Sequence, residues 1–465
     1  MSTAFTAEEL ALWTNGQWEP APPPVVDGVS HDTRSLQSGN VFFALRGDRF
    51  DGHAFLDEAF RRGASGAVIH APHSRAGTAD QPLLRVADSA EALRVAALAY
   101  RLKLNPHIVA VTGSAGKSTV KELAGQILDR QAPTARTRGN WNNAIGLPLS
   151  LLSMPAGTRY GVFEVGMNHA GEIAELCRIL KPCWGVVTNI GPVHMEFFKS
   201  LEDIAQEKAT MLRSLAADSV AVLHRDGGFF ERLRDASPGR VVTVSLRGGA
   251  DYVCTARRTQ SMEIDLEETS TGETPTLRLP SVSEYNTVNA LMAIAVARGL
   301  GVGWAEIQAA LERFEALPMR WQELSVEGGV RLINDAYNAN PMSMRASIRA
   351  FEEDRRTGRK WLLLSGMREL GAAEKDEHLK LGEYVAEGDW AGLITVGALG
   401  DLVAHGAEIG GMDKGRIVRC ADHAAAARAV RGRVAPGDTV LLKASRGMKL
   451  EEVIAHLRNG EGGKS

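Results

Sequence analysis

Cysteine is scarce in this chain. Cys177, Cys183, Cys254 and Cys420 are spread over 465 residues. No two have the CxxC spacing of a zinc or redox site, so they read as buried free thiols rather than a disulfide framework. Excess positive charge is missing too. Lys and Arg number 53 against 56 Asp and Glu, for a net charge of −3, and no basic tract occurs. This excludes recruitment of nucleic acid by a global basic field. Long apolar runs are absent. The stretch Ala290–Ala297 is far too short to span a bilayer, and the acidic opening MSTAFTAEELALW has no apolar core of the kind a secretory signal needs. A soluble, cytoplasmic protein is expected. Its length suggests about three domains, and no internal repeat is visible. Hydrophobic content of 44% and charged content of 23% are ordinary for a globular enzyme.

The strongest positive signal is HIVAVTGSAGKST at 107–119. A β-branched run leads into a glycine turn, and Lys117-Ser118-Thr119 opens a helix whose apolar positions Val120, Leu123, Ala124, Ile127 and Leu128 recur at helical spacing. Backbone N–H groups freed by Gly113 and Gly116, the positive helix end and the Lys117 ammonium suit nucleotide phosphates. The Ser118 hydroxyl can reach magnesium. The longer phosphate-loop pattern wants a glycine where Val111 stands, so this is the shorter G-x-x-G-K-S form.

Around this loop the chain alternates strands and helices. Residues 1–88 form a first unit, with Pro22-Pro23-Pro24 separating a leading helix-like segment from strands at 41–45 and 67–70 and a helix at 55–62. Residues 89–314 form a second, doubly wound α/β unit. It has a connector helix at 90–104, strands at 107–111, 160–165, 184–189 and 219–224, and helices at 118–130, 171–180, 201–215 and 287–298, the last ending at Gly299. Residues 250–283, rich in Thr and Glu, read as a small antiparallel insertion. A third unit, 315–465, carries short apolar strands at 332–336, 361–365, 393–396 and 439–443, again a parallel-sheet pattern. The tail NGEGGKS reads as a disordered end.

Several polar residues follow strands. Glu164 reads equally as a magnesium-holding carboxylate or as a surface acid. His194 reads as a metal ligand or a capping residue. Lys208 is by default a solvated helix lysine; the alternative is an amine that takes up carbon dioxide to become a carbamate. Thr137–Asn143 and Asp335–Pro341 are dense in side-chain amides that suit a sugar or peptide, or merely a turn. Lys443 and Arg446 place two cations after the last strand, for a carboxylate or phosphate or for solvent.

Taken together, these segments resemble the Mur ligases of bacterial cell-wall synthesis, over about residues 28–455. The motifs are DTRSLQSGNVFFALRGDRFDGHAFL (32–56), TGSAGKST, GNWNNAIGLPLSLL (139–152), EVGMNHAGEI (164–173), NIGPVHMEFF (189–198), NTVNA (286–290), DAYNANPMSMRASI (335–348), MRELG (367–371) and KASRG (443–447). Nine motifs in order over three domains make the resemblance very specific. DAYNANP is similar to the branch that adds D-alanyl-D-alanine to UDP-N-acetylmuramoyl-tripeptide. The DNPR motif of the diaminopimelate- or lysine-adding branch, the alternative, is absent.

The resemblance implies three α/β domains: a small N-terminal substrate domain, a central phosphate-loop ATPase domain and a Rossmann-like C-terminal domain. It implies a monomer that uses ATP and Mg2+ to make an amide through an acyl phosphate. Lys117, Glu164, His194 and Lys208 would be catalytic, with Ser118, Glu164, His194 and a carbamylated Lys208 at the metal. Gly113–Thr119, Asn289, Arg320 and Asp335 would bind ATP. Asp32, Thr33, Arg34 and Arg46 would lie in the uridine site, Asn140 and Asn143 near the muramoyl-peptide. Asn338, Asn340, Lys443, Ser445 and Arg446 would face the reacting end or the dipeptide. Three departures stand out: Met319 where the family has glycine before Arg320, KASR for KGSR, and SEYN for the glycine-histidine before the adenine-site asparagines. Outside this family, a small-molecule kinase or a GTPase-like switch competes, and the lack of an NKxD guanine-reading motif disfavours the switch.

Overall fold

A computed structural model describes residues 5–47, 50–71, 80–326, 328–354 and 358–458; the tail expected to be disordered lies outside them. Among the described residues, three large sheets follow one another along the chain. The first has five strands, in the order 17–19, 83–86, 66–70, 40–43, 28–30, parallel except for the edge strand 17–19. The leading helix, Ala7–Thr14, ends at Asn15 in a left-handed conformation, ahead of the three prolines.

The central sheet has nine strands. Its parallel part orders 240–245, 220–224, 184–187, 107–112, 160–164 and 134–136, so the phosphate-loop strand His107–Thr112 lies well inside it. Ile108 and Ala110 enter one core, while Val109 and Val111 enter the core on the opposite face. A strand buried on both sides reads as a continuous apolar run, which is why no alternation marks it in the sequence. Residues 252–258, 263–268 and 276–278 are antiparallel to one another as expected. They are not a separate insertion, however: the strand Tyr252–Arg258 pairs parallel with Arg240–Ser245 and extends the same sheet.

Helix Glu284–Gly299 packs along this domain with eleven buried residues. Gly299 is its last residue but not its left-handed cap. The Trp184 ring lies where a Gly299 side chain would be, and the left-handed glycine is Gly301 (φ 87°). The third sheet orders 322–326, 330–334, 439–443, 360–364, 392–396 and 417–420, parallel apart from the first strand. Its two apolar faces fill separate cores, Leu332, Leu363 and Leu442 on one side and Ile333, Leu362 and Leu441 on the other. Cys177, Cys254 and Cys420 are buried free thiols, and Cys183 is partly buried.

Candidate active site

The loop 113–116 leaves the carboxyl end of its strand and turns into helix Lys117–Asp129. Gly113 (φ 145°) and Gly116 (φ 82°) take conformations that side chains avoid. They also have no room for one: a Cβ on Gly113 would fall 1.9 Å from Thr188 Oγ1, and one on Gly116 would fall 2.6 Å from Asn289 Oδ1. The neighbouring strand end clamps the loop. Ser114 N–H donates to the Asn189 carbonyl (3.0 Å), Ala115 N–H to Asn189 Oδ1 (3.0 Å), and the Ser114 hydroxyl to the Gly191 carbonyl (2.9 Å). The amides of Ser114 and Ala115 are thus committed to the protein. Among the described residues, the amides of Gly116, Lys117, Ser118 and Thr119 donate to no protein acceptor, as the first turn of a helix leaves them. Lys117 Nζ donates to the Gly113 carbonyl (2.7 Å). Burial pushes its ammonium down to about 8, a shift that nearby Glu164 opposes and Arg320 reinforces.

Glu164 ends the strand Tyr160–Glu164, in register with Val111, and is 2% exposed. Its Oε1 is buried without a hydrogen bond. Beneath it lies Lys121, which is fully buried. Lys121 Nζ donates to the Thr137 carbonyl (2.9 Å) and pairs with Glu122 (2.8 Å) and Glu164 (3.5 Å). The sequence reading missed Lys121, although it lies one helical turn after Lys117, on the same face. Lys208, on helix Leu201–Arg213, is 2% exposed and not a solvated lysine. Burial, and then the Lys117 charge, drive its amine well below the usual lysine range. The adjacent Glu207 accepts the Gly171 and Ile173 N–H groups at the start of the preceding helix, Glu172–Leu180, at 3.0 and 3.1 Å.

These groups line a cleft of about 930 Å³ between the central and C-terminal domains. The cleft brings together Ser114–Thr119, Asn140, Asn143, Glu164, His194, Lys208, Arg320, Asp335, Asn338, Asn340, Lys443 and Arg446. The domains also touch directly: His194 Nδ1 lies 2.7 Å from Glu369 Oε2, and Asn340 Nδ2 donates to the Ser114 carbonyl at 3.5 Å. Asn340 is at the same time the N-cap of helix Pro341–Glu353, in a reciprocal pair with Ser343. The Arg320 guanidinium stacks 4.1 Å over the Tyr337 ring. Asp335 accepts from the Ser347 hydroxyl (2.6 Å), Trp321 N–H (3.1 Å) and Lys443 Nζ (2.6 Å). Lys443 is therefore a held ion pair and not a free cation. Arg446 pairs with Glu451.

Other expected residues lie elsewhere. Asn289 is buried behind Gly116, whereas Tyr285 and Asn286 of the same helix line the cleft. Ser445 is buried and serves the backbone, accepting Arg368 N–H (2.9 Å) and donating to the Ala339 carbonyl (3.0 Å). In the N-terminal domain, Arg34 grips Asp32 through two nitrogens, the closer at 2.6 Å, and holds that carboxyl down at about 2. Thr33 is buried and Arg46 is exposed. His31 meets Trp141 edge-on at 6.3 Å, joining this loop to the Asn140–Asn143 rim of the cleft. The three departures also have places. Met319 is left-handed (φ 60°), the conformation glycine favours; Ala444 is fully buried; and the Tyr285 hydroxyl of SEYN lies close to Gly116.

Among the described residues, no three His, Cys, Asp or Glu side chains gather into a ready-made metal cage. That suits magnesium bound to a nucleotide, which keeps waters and phosphate oxygens and takes only one or two carboxylates from protein. Glu164 Oε1, buried without a hydrogen bond beside the phosphate loop, has the chemistry that such a ligand would need.

Profiles of three known domains match the chain: the Mur ligase family catalytic domain at 25–101, the Mur ligase middle domain at 111–297 and the Mur ligase glutamate ligase domain at 319–446. The UDP-N-acetylmuramoyl-tripeptide–D-alanyl-D-alanine ligase of Bacillus subtilis is 34% identical over 443 residues, 93% of each chain. A crystal structure of MurF from Acinetobacter baumannii superposes with a TM-score of 0.85 at 30% identity, covering 97% of this chain and 98% of that one. MurF from Thermotoga maritima in complex with ADP gives 0.77 at 28% identity, covering 92% and 96%.

Proposed function

This chain belongs to the Mur ligase family, and we propose from that premise that it joins D-alanyl-D-alanine to UDP-N-acetylmuramoyl-tripeptide at the expense of ATP. The observation that carries this reading is the cleft itself. A phosphate loop on one wall faces the DAYNANP and KASRG loops of another domain, as a reaction with nucleotide at one end and a peptide acceptor at the other requires.

An amide does not form from a carboxylate and an amine in water without activation. The tripeptide's terminal carboxylate attacks the γ-phosphorus of ATP in line, giving an acyl phosphate and ADP. The dipeptide amine, having lost its proton, then attacks the acyl carbon, and phosphate leaves from the tetrahedral intermediate. The protein's work is positioning and charge neutralisation. The free amides of Gly116–Thr119 and the Lys117 ammonium receive the phosphates, and contact with phosphate offsets the desolvation that lowers Lys117 in the free protein. Ser118, Glu164 and His194 would hold Mg2+, together with Lys208 if its neutral amine takes up carbon dioxide as a carbamate and releases a proton. When bound, that ion neutralises phosphate charge. Arg320, Asp335 and the helix of Asn286 and Asn289 would hold the nucleoside. Asp32, Thr33, Arg34 and Arg46 would hold the uridine end, with Asn140 and Asn143 along the sugar-peptide. Asn338, Asn340, Lys443 and Arg446 would face the dipeptide, and Ser445 would act through the loop it pins. An acyl phosphate hydrolyses if wet, so the domain contact over the cleft serves to exclude water. The enzyme would act as a monomer, in the cytoplasm where ATP is available.

The test is ADP release with UDP-N-acetylmuramoyl-tripeptide and a panel of amines. D-Alanyl-D-alanine should support turnover and a dibasic amino acid should not. Hydroxylamine should trap a hydroxamate when ATP and the tripeptide are present. Turnover with the dibasic acid, on the dipeptide-ended precursor, would assign the other branch; ADP formation without hydroxamate would remove the acyl phosphate.

A further inference from the structure

The MRELG segment at 367–371 is a motif that this chemistry leaves unused. It follows the carboxyl end of strand Lys360–Leu364, and two buried side chains pin it. His378 accepts the Met367 N–H at Nε2 (2.9 Å), while its Nδ1 contacts the Glu374 carbonyl (2.6 Å). Ser445 accepts the Arg368 N–H. Next to these anchors Glu369 is left-handed, at φ 63°. That is uncommon for a residue with a side chain, and persists where the surroundings over-determine it. Its carboxylate crosses to the central domain and meets His194, also left-handed at φ 53°, and Gly371 packs against the Glu196 backbone beside it. Two strained loops from different domains thus meet at one short hydrogen bond.

The Glu369 side chain is 52% exposed, so the pair adds little to stability. Its consequence is orientation. An ionised carboxylate only accepts hydrogen bonds, and Glu369 Oε2 lies 2.7 Å from His194 Nδ1. Nδ1 of His194 must therefore carry the hydrogen, and in the neutral ring the lone pair sits on Nε2.

We propose that Glu369 is a positioning residue: docking of the C-terminal domain brings its carboxylate onto His194 Nδ1 and fixes the tautomer that leaves Nε2 free to hold magnesium. This rests on the reading of His194 as a magnesium ligand. It makes a competent metal site conditional on the domain contact, through a residue far along the chain from the phosphate loop.

The experiment uses the full chain labelled with [15N]histidine, the His194 signals being assigned by their loss in His194→Gln. Glu369→Gln retains a carbonyl acceptor and Glu369→Ala retains none. NMR should find the Nδ1–H tautomer in the wild type and in Glu369→Gln, and a move toward Nε2–H in Glu369→Ala. Manganese binding with a non-hydrolysable ATP analogue, followed by electron paramagnetic resonance, should weaken about tenfold in Glu369→Ala, as for other partners of metal-bound histidines, and stay near wild type in Glu369→Gln. An unchanged His194 tautomer in Glu369→Ala would overturn the proposal, as would equal damage by both substitutions. If His194→Gln binds manganese like the wild type while Glu369→Ala still switches the tautomer, the metal reading of His194 has failed, and the proposal falls with it.

Discussion

Replacing Lys121 by methionine removes the only cation that, among the described residues, forms an ion pair with Glu164, and leaves the shape of the side chain nearly intact. In the folded protein the Lys121 side chain is 0% exposed, Glu164 is 2% and Glu122 is 11%. Breaking a buried ion pair from one side costs about 3–5 kcal/mol, because the remaining charge keeps its desolvation penalty without compensation. Glu122 retains Arg136 at 3.1 Å, so Glu164 carries most of the loss, and the low end of that range, about 3 kcal/mol, is expected. Urea unfolding of the full chain should show a midpoint lower by about 1 M at a slope of about 3 kcal/mol per M. Adding Glu164→Gln removes the orphaned charge and should recover at least about 1 kcal/mol, within the coupling seen for residues in contact. A shift below about 0.5 kcal/mol for Lys121→Met, or a double variant that loses the sum of both single effects, would refute the argument that Lys121 sustains the Glu164 carboxylate.

Two further outcomes follow from the lysines of the cleft. The Lys117 ammonium lies near 8 in the free protein, below its ordinary 10.5, and bound phosphate should raise it. Nucleotide binding at pH 8 should therefore take up about 0.5 proton, and affinity should fall as pH rises through 8. Calorimetry in two buffers of different ionisation enthalpy measures the uptake; its persistence in Lys117→Arg, whose guanidinium does not titrate there, would assign it to another group. Lys208→Ala should lower turnover by about a hundredfold, the scale of losing one charge-stabilising group, and added short-chain carboxylate should restore part of it. Near-full activity of the alanine variant in a steady-state ADP-release assay would take Lys208 out of the metal site.

Much of the site was legible along the chain because its parts are local. Strand, glycine turn and lysine-serine helix start are covalent neighbours from 107 to 119, so spacing alone reports the phosphate loop. The motifs after strands were legible for a related reason: in a parallel α/β sheet the carboxyl ends lie at one edge, so Glu164 and His194 had to come to the same side. What spacing could not report is which distant group occupies which partner. Asn189 takes two of the loop amides, Asp335 takes Lys443, and Ser445 bonds backbone groups of two other loops. Periodicity showed the antiparallel pattern of 250–283 but not that its first strand would pair with Arg240–Ser245, since strand pairing depends on which edge is open.

The order of residues by itself determined the three α/β units, the phosphate loop and its charge, because those follow from backbone conformation and local patterning. Tertiary structure alone decided that Lys121 would lie fully buried under Glu164, that Trp184 would press on Gly299, and that Glu369 would meet His194 across two domains. Burial and pairing between residues far apart in sequence arise only when whole sheets and domains pack, and a solvated lysine and a buried one are the same letter until they do.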